Sequence, residues 1–268
     1  MRSIIVNLER IELLYAGSCE NNEKHIFKGA KSKKLRFPAA CLLIRHAQQG
    51  WILLDTGYSQ RLFRGKGLIR RLYRTLNPVT VSRKEQIDAQ LRARDIQPCE
   101  VQTVILSHLH PDHVGGTTYF PQAQFIVSQK ALEEFTRPSF KSLIFQELLP
   151  DDFQQRAQPI HTFPDSIGPF REACDLFRDG SVYLIPLDGH AKGQMGLYIP
   201  QANLLFAADA SWRSPYLHET RPIRIIPRFL QNHFPTYLQT QAMLRDVEAA
   251  GIRVLFSHDP VLENGVLL

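Results

Sequence analysis

Along this chain, short apolar runs rich in β-branched and aromatic residues alternate with longer stretches in which apolar positions recur every three to four residues. The runs predict buried strands and the longer stretches predict amphipathic helices. Five of the runs end in a His or an Asp. Trp51-Ile52-Leu53-Leu54 meets Asp55, Val104-Ile105-Leu106-Ser107 meets His108, and the run from Val182 to Leu187 leads to His190. Leu204-Leu205-Phe206-Ala207-Ala208 meets Asp209, and Val254-Leu255-Phe256-Ser257 meets His258. Strands that share a sheet and end together would set these side chains along one edge, where α/β proteins assemble their sites. The runs 40–46 and 51–55, joined through Gln48-Gln49-Gly50, predict a hairpin, so the sheet is mixed. The start, MRSIIVNLERIELLYAG, reads as a first strand or two.

Helices are expected over 128–135, 138–149 and 236–250, the second as part of a lid. In 236–250, Leu238, Met243, Val247 and Ala250 form the expected apolar stripe, and Gly251 suits the position just past a helix end. Strands alternating with helices predict a layered α/β fold. With no repeat or long linker, residues 1–268 read as one domain, with a basic helical insert over 61–94 and a lid or helical segment within 128–180.

Composition adds bounds. The chain is 44% hydrophobic and 22% charged, ordinary for a folded protein with a large core. Cys19, Cys41, Cys99 and Cys174 lie far apart with no CxxC pair, which suits reduced thiols. Glu9, Arg10 and Glu12 interrupt the N-terminal apolar stretch, so no signal peptide is expected. No run approaches the roughly 18 apolar residues of a membrane span. A cytoplasmic protein is the expectation. The net charge of +6 collects between Arg61 and Arg94, where ten Lys and Arg face only Glu85, Asp88 and Asp95. A solvated helical face is the preferred explanation over a patch steering an anionic partner or meeting a membrane surface. No nucleic-acid-binding signature accompanies the charge, so no nucleic-acid partner is expected.

The chemistry concentrates in His108-Leu109-His110-Pro111-Asp112-His113, an HxHxDH motif at a strand end. A tight loop would point His108 and His110 one way and carry Asp112 and His113 to the other side, at the start of a helix. Two adjacent cation sites follow. Gly115-Gly116 would let the backbone pack closely. Imidazole and carboxylate donors suit zinc, and iron and manganese accept them too. His190 is the expected third ligand beside His108 and His110, and His258 the partner of Asp112 and His113. Asp209 would bridge both ions. His25, His46, His161, His218 and His233, each taken alone, read as ordinary surface or core residues.

The ordered series HxHxDH, His190, Asp209, His258 resembles the metallo-β-lactamase superfamily over roughly residues 41–259. The resemblance implies an αββα sandwich with mixed sheets and a metal site at one edge. It also implies that Asp55, in Leu54-Asp55-Thr56-Gly57, supports the histidine loop from behind the ligands. Within the superfamily, redox flavodiiron sites carry glutamate where His110 stands, and many true β-lactamases carry cysteine where Asp209 stands. Glyoxalase II-type thioesterases add a helical C-terminal region, and ribonuclease Z-type enzymes an RNA-gripping arm; neither is evident. Asp209-Ala210-Ser211-Trp212 and the ending Phe256-Ser257-His258-Asp259 are most similar to the N-acyl-homoserine lactone lactonases. Two departures stand out: the lactonases have tyrosine where Trp212 stands, and often histidine where Gln194 stands.

The expected reaction is therefore the opening of a small-molecule lactone or related ester at two zinc ions, by a hydroxide held between them. Asp112 and Asp209 are the expected catalytic carboxylates, Asp112 giving a proton to the leaving oxygen. Tyr216 is a candidate for the missing phenol. Trp212, Tyr216, Phe229 and the segment 140–149 are expected to line an acyl pocket. A phosphodiesterase or thioesterase of the same fold is the alternative, and a non-catalytic metal-binding protein a more distant one. A homodimer is left open.

Overall fold

The computed structural model describes residues 7–64, 67–139, 141–262 and 265–268. Parts of the first-strand expectation (1–6), Lys66 of the basic stretch and Phe140 of the expected pocket lie outside them. The long strand β1 (Leu8–Asn22) pairs antiparallel with β2 (Lys34–His46), and β2 with β3 (Gly50–Leu54). The expected hairpin is present. On its outer side β1 carries the short β4 (Val79–Thr80). Beyond β3 the sheet continues in parallel through β5 (Val101–Ile105), β6 (Gln124–Ser128) and β7 (Ala157–Ile160).

A second sheet holds β8 (Asp165–Ile167), β9 (Phe170–Asp175), β10 (Tyr183–Pro186), β11 (Met195–Ile199) and β12 (Leu204–Phe206), all antiparallel. β13 (Arg253–Leu255) closes its edge parallel to β12. Both sheets are mixed.

Strand periodicity of two explains the layering. Leu42 and Ile44 of β2 face the second sheet and pack with Leu197, Leu204 and Phe206, whereas Cys41 and Leu43 point the other way, among Leu91, Val104 and Phe125. Ile185, Tyr198 and Leu205 on the far side of the second sheet meet Leu244 and Val247 of the helix Phe234–Ala249. Helix, sheet, sheet, helix is the order. Leu42, fully buried between the sheets, illustrates the energetics: truncation to alanine would cost about 2–5 kcal/mol.

Three sequence expectations need correction. The segment 138–149 is not an α-helix; it is irregular, with one 3-10 turn at Gln146–Leu148. Leu143 sits at φ 48°, a left-handed conformation that no helix continues through. Within the wider 128–180 stretch the helix expected at 128–135 forms, as Gln129–Thr136, while the stretch also contributes β7, β8 and β9 to the two sheets. The helix at 236–250 forms, as Phe234–Ala249, but it packs through Tyr237, Thr240, Gln241, Leu244 and Val247. Leu238 is exposed. Thr240 Oγ1 donates to the carbonyl of Asp188 at 2.7 Å, so a polar contact helps choose the inward face. Gly251, at φ 84°, follows the helix as expected.

Within 61–94, the helix Leu68–Leu76 reverses the usual pattern. Arg70 and Tyr73 face inward, while Leu68, Leu72 and Leu76, spaced four apart, face outward. The buried Arg70 guanidinium pairs with Glu147 and lies over the ring of Phe145. A merely charged, solvated face does not describe this helix. No helix among the described residues is long and apolar enough to cross a membrane.

Candidate metal centre

The two sheets end together at one edge, and backbone hydrogen bonds tie them there. Met195 N–H donates to the Ser107 carbonyl at 2.9 Å, and Ala40 N–H to that of Ser257 at 3.0 Å. Each strand delivers its terminal side chain to this edge: Asp55 after β3, Ser107 and His108 after β5, His190 after β10, Asp209 after β12 and His258 after β13. Close packing of the connecting loops depends on glycine. A Cβ on Gly115 would lie 2.6 Å from the Gly57 carbonyl oxygen, and one on Gly189 would lie 2.4 Å from the Tyr237 backbone.

Two donor clusters result. His108, His110 and His190 form one; Asp112, His113, Asp209 and His258 form the other, with the donor atoms of each within 4.8 Å of one another. All are buried. The HxHxDH loop divides as expected, because Pro111–Val114 is a helical turn that carries Asp112 and His113 around. Asp209 lies between the clusters. Its Oδ2 is 3.1 Å from His258 Nε2 and 3.5 Å from His190 Nε2, and its Oδ1 is 3.4 Å from His113 Nε2.

The histidines are oriented from behind. His113 Nδ1 meets Asp55 Oδ2 at 2.7 Å, His190 Nδ1 meets Gln231 Oε1 at 2.9 Å, and His258 Nδ1 meets the Pro38 carbonyl at 2.7 Å. His108 Nδ1 is 3.1 Å from Ser107 Oγ, which itself donates to Asp55 Oδ2 at 2.7 Å. An acceptor at Nδ1 keeps the proton there and leaves the Nε2 lone pair facing inward, the arrangement of a ligating histidine. His110 instead presents Nδ1, 3.1 Å from His190 Nε2. His108 Nε2, His113 Nε2 and Asp209 Oδ1 are buried without a hydrogen-bond partner. Buried polar atoms are seldom left so. Seven converging N and O donor residues, with three of their buried atoms unpartnered, fit two divalent cations.

The electrostatics separate the clusters. Burial, and after it the neighbouring His113 and His110, hold His108 well below the usual histidine range, and burial with His190 does the same for His110. Burial also lowers His190. At His113 and His258 burial is outweighed by carboxylates: Asp112, Asp55 and Asp209 push His113 well up, and Asp209 and Asp112 bring His258 to about 9. Asp209, despite its burial, is held far down by His258 and His113. The second cluster is thus the more anionic set of donors.

Both clusters open onto a cavity of about 290 Å³. Phe37, Tyr58, Tyr73, Leu143 and Trp212 are among its walls, and no Lys or Arg lines it among the described residues. Trp212 lines the cavity, its ring centroid 6.5 Å from that of His190. Tyr216 and Phe229 do not line the cavity. Tyr216 packs its ring against Phe27 and Phe37, and Phe229 lies on the surface beneath Lys141. Tyr58 and Tyr73, their hydroxyls 2.9 Å apart, were not anticipated. Nor were Gln231 and the Pro38 carbonyl. Of the remaining histidines, His25 reaches the cavity wall, His46 is a buried partner of Asp179, His218 pairs with Glu248, and His233 caps the helix that follows it.

Comparison with known proteins decides the family: the model of the metallo-beta-lactamase superfamily matches residues 35–258. The chain belongs to that superfamily. The chain is 28% identical over 178 residues to an N-acyl homoserine lactonase AttM of Azorhizobium caulinodans, covering 64% of this chain and 63% of that relative's length. It is also 27% identical over 165 residues to a metallo-hydrolase mfmC of Annulohypoxylon moriforme, covering 60% and 43% of the two. A solved structure of B. thuringiensis AiiA with N-decanoyl-L-homoserine bound at its active site superposes with a TM-score of 0.74 at 20% identity, covering 95% and 94% of the two chains. The αββα architecture is that of the superfamily.

Proposed function

We propose that this metal-dependent hydrolase of the metallo-beta-lactamase superfamily opens N-acyl-homoserine lactones or closely related carboxylic esters. The observation that carries the reading is a pair of donor clusters at the floor of a largely apolar cavity that no Lys or Arg lines among the described residues. An uncharged ester with an acyl chain suits such walls, whereas a phosphodiester's charge would meet no Lys or Arg inside the cavity among the described residues. His108, His110 and His190 would hold one ion, Asp112, His113 and His258 the other, and Asp209 would be shared. Zinc is the first choice for both, with iron and manganese compatible with the same donors. Two divalent ions, when bound, acidify water and polarise the scissile carbonyl.

The chain's own residues supply the rest. Asp112 lies at the cavity wall, 3.5 Å from His258 and 3.6 Å from His113, where its carboxylate can carry a proton to the leaving oxygen. Trp212 narrows the cavity beside His190 without offering a hydroxyl. Tyr58 and Tyr73 are the phenols that line the cavity, so a donor to the substrate would come from that wall. The free cysteines fit a reducing compartment. The test is a panel of lactones, thioesters, β-lactams and phosphodiesters with the metal-loaded protein. The lactones should show the highest kcat/KM; negligible lactone turnover beside robust phosphodiester cleavage would overturn the substrate while leaving the metal assignment standing.

A further inference from the structure

Eight of the twelve large apolar side chains exposed among the described residues fall in just two stretches, 63–76 and 225–229. Both stretches border the cavity mouth: Tyr73 and Leu76 contribute lining from one, Ile226 and Pro227 from the other. Leu68, 84% exposed, and Ile225, 78% exposed, stand beyond the lining. The inverted helix Leu68–Leu76 explains how the leucines are held out. Its inward face is pinned by the pairing of the buried Arg70 with the exposed Glu147 and by the Tyr73–Tyr58 hydroxyl contact. Rolling the helix to hide the leucines would pull Arg70 away from Glu147 and Phe145 and expose Tyr73, so the outward stripe is a fixed feature.

Cations ring this apolar surface. Arg64, Arg71, Arg224 and Arg228 are exposed, and Lys141 Nζ sits 4.0 Å above the Phe229 ring. No Asp or Glu occurs in 60–76 or in 220–233. Apolar side chains at the tip with arginines around them match an interface that is oily inside and anionic at its surface. A second copy of the chain fits less well, since a two-fold contact would oppose like charges across a greasy patch. Nucleic acid offers no partner for the leucines.

We propose that this face docks on an anionic phospholipid bilayer, so that the cavity mouth opens toward the acyl layer. The surface argument stands on its own; only the identity of what enters the cavity rests on the acyl-lactone reading. An amphiphilic acyl substrate would then pass from lipid to the metal centre with its chain leading along the Leu76–Ile226 side.

The experiment is sedimentation of the full-length, metal-loaded chain with vesicles of phosphatidylcholine alone and of phosphatidylcholine mixed with phosphatidylglycerol, at low and high salt. Binding to the anionic vesicles and its loss at high salt are expected. Each surface arginine near an anionic membrane is worth roughly fivefold in partitioning, so Arg71→Gln with Arg228→Gln should weaken binding about 25-fold. Leu68→Gln with Leu72→Gln should abolish stable docking at any salt. None of these four side chains lines the cavity or packs in the core, so turnover of a short-chain lactone in vesicle-free solution should be unchanged. Equal binding of wild type and variants, or no preference for anionic vesicles, would overturn the proposal. So would a wild type that ignores vesicles but forms a dimer broken by the two leucine substitutions. If lactones are not substrates, the vesicle result is unaffected, which keeps the two failures apart.

Discussion

Asp55→Asn isolates the support behind the metal centre from the centre itself. Asp55 is fully buried and its two oxygens take three hydrogen bonds: Ser107 N–H to Oδ1 at 2.8 Å, and Ser107 Oγ and His113 Nδ1 to Oδ2, each at 2.7 Å. Asparagine keeps the volume and tolerates the φ of 59° found here. It cannot keep all three bonds. Turned one way, its NH2 opposes Ser107 N–H. Turned the other, it donates toward His113 Nδ1, which must give up its proton to Nε2, the atom that should bind metal. Hydrogen bonds to a charged group are worth about 1.5–3 kcal/mol each. Losing one or two should lower the unfolding free energy of the metal-free protein by about 2–4 kcal/mol.

The effect on metal should be selective. Loss of such an outer partner costs about 10–100-fold in metal affinity, and here it should fall on the ion held by Asp112, His113 and His258. Gln231→Leu is the mirror experiment, because Gln231 supports His190 and so the other ion. Urea unfolding in chelator gives the stability, and competition with a chromophoric chelator gives the two affinities. A second-ion affinity within about twofold of wild type in Asp55→Asn, with unfolding weakened as expected, would reduce Asp55 to a structural residue and refute the tautomer argument.

Three further outcomes follow from the same geometry. Asp209→Ala should lower the affinity of both ions, and His258→Ala mainly one, with two ions per wild-type chain by elemental analysis; a single ion in the fully loaded wild type would contradict the paired clusters. Tyr58→Phe should reduce lactone kcat/KM by roughly 10²-fold if its hydroxyl acts on the substrate, while Tyr216→Phe, behind the Phe37 wall and not itself lining the cavity, should change it little; the reverse order would point back to Tyr216. Cys19, raised to about 12 by burial and then by Asp112, should resist alkylation of the native protein at pH 8, and Cys41, also buried, should do the same, whereas the exposed Cys99 should react promptly; mass spectrometry after timed iodoacetamide treatment reads this directly.

The ligands were legible in the sequence because each is local: a strand run, then a His or Asp, with HxHxDH folding back within six residues. What holds them was not. Gln231 reaches His190 across 41 positions, and the Pro38 carbonyl reaches His258 across 220. No spacing along the chain encodes such contacts. Part of the cavity wall escaped for the same reason: Tyr58 comes from the loop after β3, and Tyr73 from a helix whose inward face is Arg70 and Tyr73. Hydrophobic periodicity predicts the opposite face inward, and the seat of Arg70 over Phe145 beside Glu147, with the Tyr73–Tyr58 contact, prevails over it. Periodicity alone places Leu238 in the apolar stripe of its helix, but Thr240 bonding to the Asp188 carbonyl and Tyr237 pressing on Gly189 turn that helix away.

These misses share a cause with the site's construction. Asp55 and Ala208 both adopt positive φ, 59° and 48°, Asp55 directly after β3 and Ala208 two residues past the end of β12. For Ala208 that conformation costs about 1–2 kcal/mol, and Asp209 follows it immediately. A residue in ordinary extended conformation there would continue the strand and carry Asp209 past the histidines; the left-handed turn swings the carboxylate between the clusters instead. Strain of this kind persists where surrounding contacts over-determine the backbone. Here they do: Ser257 N–H donates to the Ala208 carbonyl at 3.1 Å, and Ala210 N–H to that of Ala207 at 3.1 Å. A glycine at 208 would relieve the strain yet loosen the turn in the unfolded chain, so the small, constrained alanine trades local energy for a fixed carboxylate position. The same logic places Asp, which tolerates positive φ better than most residues, at position 55, where one side chain both accepts the turn and anchors the histidine loop.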